Sequence, residues 1–120
     1  MGKLKQDSNE FIIVTRERQS RKLLLRDIWY FEIRGRIICI HGVNGIFEYY
    51  GQMGSLEKEL REKGFFRCHK SYLIHLKYVD TYNRQEVFLE NGERIPIAKR
   101  RYNSFCEGIL EYMKKNGGNL

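Results

Sequence analysis

A mostly-β fold, with one short internal helix and a second helix at the C-terminus, is what this sequence predicts. Three observations carry that expectation. Short β-branched and aromatic runs recur from Phe11 to Ile97, divided by Gly, Asn and polar residues. Asn91-Gly92, the strongest hairpin signal in the chain, lies between two of those runs. After Lys99 the pattern changes to the i, i+3, i+4 spacing of a long amphipathic helix.

The elements follow in order. Residues 1–9 are polar and read as a flexible tail. Phe11 to Thr15 is β-branched and reads as a strand, Arg16 to Ser20 as a turn, and Lys22 to Leu25 as a second strand. Ile28 to Ile33 is a third strand, ended by Arg34-Gly35-Arg36, and Ile37 to His41 pairs back as a fourth. Gly42 to Gly45 makes a hairpin turn, because Gly and Asn accept positive φ, and Ile46 to Tyr50 follows as a fifth strand. Ser55 suits an N-cap for a short helix over Leu56 to Lys63, which Gly64 stops. Phe65 to Cys68, Val79 to Tyr82, Glu86 to Leu89 and Arg94 to Ile97 read as further strands. The last helix spans Lys99 to Lys115 and presents Tyr102, Phe105, Cys106, Ile109, Leu110 and Met113 as one stripe, expected to be buried. One domain is therefore expected over residues 10–116, with residues 117–120 frayed.

A chain of 120 residues supports a single modest core, and 42% hydrophobic with 13% aromatic residues argues against disorder. The net charge of +7 favours an anionic partner, nucleic acid first and a membrane surface second. Three widely spaced cysteines suggest neither a disulfide frame nor a zinc site and fit a reduced, cytoplasmic compartment. The longest apolar runs are too short to span a bilayer, and the first residues lack a signal peptide or a myristoylation pattern.

No phosphate-loop or dinucleotide-binding glycine motif is present, so no cofactor is expected. Cys39 and His41 share a strand face but supply only two ligands, short of a metal site. Cys68 or Ser71 would need an activating base among His41, His69 and His75, and no orienting acid or nucleophile motif accompanies them. His75, amid apolar neighbours, reads as a hydrogen-bonded structural residue. An enzyme is not expected.

Basic residues are placed more tellingly. Phe65 to Lys77 crowds Arg67, His69, Lys70, Ser71, Tyr72 and Lys77 among apolar anchors, and rigidly held donors suit phosphate oxygens and base edges. Arg34 and Arg36 flank a glycine at a hairpin tip. Lys99, Arg100 and Arg101 open the last helix, where each cation opposes the helix macrodipole at a cost of about 0.3–1 kcal/mol. Three together at that place favour an anion-binding role over a salt-bridged surface.

These residues together resemble the LytTR family of bacterial DNA-binding domains, the output domains of many response regulators. The markers are Asp27-Ile28-Trp29-Tyr30-Phe31-Glu32, then Ser55-Leu56 with Glu57 and Leu60, then Phe66 through Ile74. Val87-x-Leu89-x-Asn91-Gly92, Ile95-Pro96-Ile97-Ala98 and Arg100-Arg101-Tyr102 complete the series. The resemblance implies elongated, stacked antiparallel sheets with little helix, and loops rather than a helix entering successive major grooves. It gives contact roles to Arg34 and Arg36, to His69, Lys70 and Ser71, and to Arg100 with its neighbours Lys99 and Arg101. His75 stands where the family usually has Asn, and Ala98 where it often has Ser. The implied function is a two-component transcription regulator that binds double-stranded DNA at promoter direct repeats, as a dimer or in tandem. The chain is expected to be a stand-alone regulator or an excised output domain. A protein-interaction module with an acidic partner is the alternative from another class.

Overall fold

The computed structural model describes residues 9–117, so the expected tail and frayed end lie almost entirely outside the described residues. A five-stranded antiparallel sheet organises the molecule, in the spatial order β5-β4-β3-β7-β6. Its strands are β3 (Ile28–Arg34), β4 (Ile37–Gly42), β5 (Gly45–Tyr50), β6 (Phe65–His69) and β7 (Tyr72–His75). A hairpin of β1 (Phe11–Arg16) and β2 (Gln19–Leu24) and a three-stranded sheet of β8 (Val79–Tyr82), β9 (Glu86–Leu89) and β10 (Arg94–Pro96) complete the strands. The two α-helices among the described residues are α1 (Met53–Leu60) and α2 (Tyr102–Lys115). The body measures 45 × 40 × 25 Å.

Alternation along β3 and β7 separates two cores. Phe31 pairs with Leu73 and Tyr30 with Ile74, so each pair points to its own face. Phe31 and Leu73 join Ile12, Val14, Ile38, Ile40, Leu56 and Leu60 beneath the β1–β2 hairpin and α1. Tyr30 and Ile74 join Cys68, Val87, Leu89, Ile95, Phe105 and Ile109 beneath the three-stranded sheet and α2. Leu73 and Ile74 are each 0% exposed. A strand buried on both faces shows no polar alternation, which is why β7 is absent from the sequence reading.

Three further boundaries and one burial pattern differ from expectation. The first hairpin turns at Glu17 and Arg18, both at positive φ (50° and 70°), so β2 begins at Gln19. Helix α1 starts at Met53, ahead of Ser55, because burial of Met53 with Leu56 and Leu60 draws its first turn onto the core. Lys99–Arg101 form a 3-10 turn before α2 rather than its first α-turn. On α2 only Phe105 and Ile109 are buried; Cys106 is half-buried and Leu110 is exposed, since the helix rests on one sheet edge and the outer part of its stripe meets solvent. Gly64 ends the α1 segment with φ of +89°, as its position predicts.

Candidate nucleic-acid interface

Three basic clusters far apart in sequence meet at one end of the five-stranded sheet. The first is the tip between β3 and β4. Arg34 pairs with Ile37, leaving a two-residue loop of Gly35 and Arg36. Gly35 has φ of +61°, the first-position glycine of a type II′ turn. Both arginines are exposed. The second cluster is the tip between β6 and β7, where His69 pairs with Tyr72 around Lys70 and Ser71. Because β3 and β7 are antiparallel neighbours with Glu32 opposite Tyr72, the two tips lie side by side. The backbone N–H of Ile33 donates to the Ser71 carbonyl at 3.0 Å and joins them. The third cluster, Lys99–Arg101, is tied to the second. The Ala98 N–H donates to the Cys68 carbonyl at 2.8 Å, and Arg101 Nη1 donates to the Arg67 carbonyl at 3.1 Å.

Within this end the eight predicted residues divide into two kinds. Arg36, Lys70, Lys99 and Arg100 are exposed, and their side chains have no hydrogen-bond or ion-pair partner among the described residues. Their charges are left for an anion. Arg34 is exposed but paired, donating to Glu32 through Nε (3.2 Å) and Nη2 (3.3 Å). Arg101 is half-buried and folded back, with Nη1 donating to the Arg67 carbonyl, so part of its hydrogen-bonding capacity serves the fold. His69 and Ser71 shape the second tip: the Ser71 N–H donates to His69 Nδ1 at 3.0 Å. That bond needs an unprotonated Nδ1. Burial, then the charges of Lys70 and Arg101, push the imidazole below its ordinary value. Near neutral pH His69 is a neutral Nε2–H donor.

Arg67 is the residue whose role the sequence pattern does not reveal. Its Nη2 donates to the Lys70 carbonyl at 2.7 Å and its Nη1 to Glu57 on α1 at 3.2 Å, so it braces the second tip against the helix. Nothing in a local run of basic residues distinguishes a bracing arginine from a free one. Lys77, counted in the same run, sits beyond β7 at the other end of the sheet, in a 3-10 turn with Tyr78. Ala98 supplies no side-chain cap, and its backbone N–H and carbonyl are both used, the carbonyl by the Arg101 N–H at 2.8 Å.

The remaining candidates are structural. His75 is 6% exposed, stacks on Phe65 at 4.2 Å and donates from Nδ1 to the Ile28 carbonyl at 3.0 Å. Burial drives its pKa down to about 4. Burial likewise pushes the Cys68 thiol up to about 12, far from a reactive thiolate. Cys39 donates to Glu48 and His41 to Glu32, and no cluster of metal-ligating side chains occurs among the described residues.

The sequence profile of the LytTR DNA-binding domain matches residues 18–109. The chain belongs to the LytTR family of DNA-binding domains. Among solved structures, the LytTR fold recurs at a TM-score of 0.68 in the LytTr DNA-binding domain of a protein from Bacillus cereus described as a methyl-accepting/DNA response regulator. The two share 16% sequence identity over 86% of this chain and 98% of that one. No curated protein sequence matches significantly. LytTR domains are a DNA-binding and not a catalytic family, and no described helix of this member is long and apolar enough to cross a membrane.

Proposed function

We propose that this LytTR domain is a sequence-specific, double-stranded DNA-binding transcription regulator of the two-component, response-regulator type. It reads major grooves through its loops, at direct repeats near promoters, as a dimer or in tandem, and acts in the cytoplasm. One observation carries the reading: the three clusters converge on one end of the sheet, with Arg36, Lys70, Lys99 and Arg100 left unpaired. Bases are read by loops because both helices spend their apolar faces on the cores, Leu56 and Leu60 in α1, Phe105 and Ile109 in α2. Neither is left projecting as a recognition helix. Two-residue hairpin tips expose side chains at fixed positions, which suits base edges. Residues 10–116 form the functional unit.

Selection of binding sites from random duplex DNA with the purified protein tests the reading. A selected site should outcompete scrambled duplex, and log K should fall against log salt by about 0.9 for each phosphate neutralised. Equal affinity for the selected site, scrambled DNA and heparin, or affinity indifferent to salt, defeats it and favours an acidic protein partner.

A further inference from the structure

We infer that Glu32 is a specificity-determining positioning residue that holds Arg34 as a preorganised base reader. The inference rests on the DNA-reading function proposed above and adds a residue to it. An acidic side chain at the basic end of a DNA-binding domain faces phosphate repulsion, so its presence there calls for a compensating role. The Glu32 carboxylate is 16% exposed and fully engaged from three strands. Arg34 on its own strand donates through Nε and Nη2, His41 of β4 donates from Nε2 to Oε1 at 3.2 Å, and the Tyr72 hydroxyl of β7 donates to Oε2 at 3.4 Å.

Those donors decide what Glu32 can do. A free carboxylate at a DNA interface can accept from a cytosine amino group. This one has its lone pairs occupied and is two residues below the tip, so it does not read bases itself. Its neighbours are themselves fixed. His41 stacks on Tyr30 with ring centroids 4.2 Å apart, and the Tyr30 hydroxyl donates to Glu93 at 3.0 Å. The carboxylate is thus a rigid platform. Burial raises its pKa, but the hydrogen bonds and charges of Arg34 and His41 outweigh burial and keep it ionised.

Arg34 gains most from the platform. Its side chain is 64% exposed, and on a hairpin tip it would otherwise sample many rotamers. The two-pronged contact fixes the guanidinium plane while Nη1 remains without a partner among the described residues. A planar fork held this way is suited to guanine O6 and N7, whereas a loose arginine serves equally well as a phosphate contact. The neighbouring Arg36, which lacks such a brace, fits the phosphate role.

The test compares dissociation constants for the selected duplex and a scrambled duplex of equal length. Glu32→Gln should lower the ratio between them about tenfold, with affinity for scrambled DNA unchanged or tighter because a negative charge is gone. Arg34→Lys keeps the charge, cannot form the fork, and should lower the ratio similarly. The double variant should discriminate no worse than either single one, as coupled residues do. Thermal melts accompany each variant, and Arg34→Lys at the exposed tip decides the matter if Glu32→Gln fails to fold. A parent that discriminates alongside an Arg34→Lys variant with the parental ratio overturns the inference alone. So does a folded Glu32→Gln that loses affinity for both duplexes equally. A parent that does not discriminate overturns the DNA-reading function itself, and the role of Glu32 with it.

Discussion

Acidification should destabilise this domain through one buried imidazole, His75. The pKa of His75 falls from 6.5 to about 4 on folding, with burial the largest cause. Its neutral form is therefore the folded form. Between these values the unfolded chain binds the proton and the native state does not, so stability is complete above pH 6.5 and is lost as pH falls toward 4. At about 1.4 kcal/mol per pKa unit the full loss is roughly 3 kcal/mol. Between about pH 7.5 and about pH 5 the same linkage gives a loss of about 2 kcal/mol. That is a large share of the roughly 5–15 kcal/mol available to a domain of this kind. Urea unfolding followed by circular dichroism at the two pH values measures it, and the midpoint should fall by about 1 M. His75→Asn keeps an N–H for the Ile28 carbonyl and cannot titrate. It should start less stable, since Phe65 loses its stacked ring, and it should show little of the pH-dependent loss. His69, whose pKa is also lowered, contributes with the same sign in both proteins and cancels from the comparison. A parent with a flat response over that range, or an equal loss in His75→Asn, refutes the reasoning.

Arg100→Ala and Arg101→Ala should separate reading from packing. The first should lose about 1–3 kcal/mol of sequence discrimination with an unchanged melting temperature. The second should lose about 0.5–1.5 kcal/mol of stability, because the Arg67 carbonyl gives up its donor. Lys70→Ala should weaken binding with circular dichroism unchanged, since its side chain is exposed while its carbonyl still accepts from Arg67. Replacing Glu17 and Arg18 by Asn and Gly should raise stability by about 1 kcal/mol or more in urea unfolding, because both residues occupy positive φ that Asn-Gly adopts readily.

Local rules were enough for much of this molecule. Period-two runs bounded by Gly and Asn located most of the strands, and the positive-φ glycines at 35 and 92 mark turns for which only local backbone chemistry matters. The candidate site was legible as charge: Arg34 and Arg36 flank a hairpin glycine, Lys70 stands in the basic run that follows Phe65, and Lys99 and Arg100 precede the last helix. What the sequence could not supply was adjacency. β7 is apolar on both faces and gives no periodic signal, yet it is the strand that sets one hairpin tip beside the other. Without it, three basic clusters are three separate loops. Contacts between distant elements also decided which of the remaining cations stay free. Arg67 and Arg101 read alike with the rest, and only the positions of Glu57 and the Arg67 carbonyl convert them into a brace and a staple. The Arg34–Glu32 fork joins residues i and i+2 on one face of β3 and is a local contact. Charge and turn propensity are properties of neighbouring residues, so sequence records them. Hydrogen bonds between residues 10 to 40 positions apart depend on register, and register is settled only when both faces of the central sheet are packed.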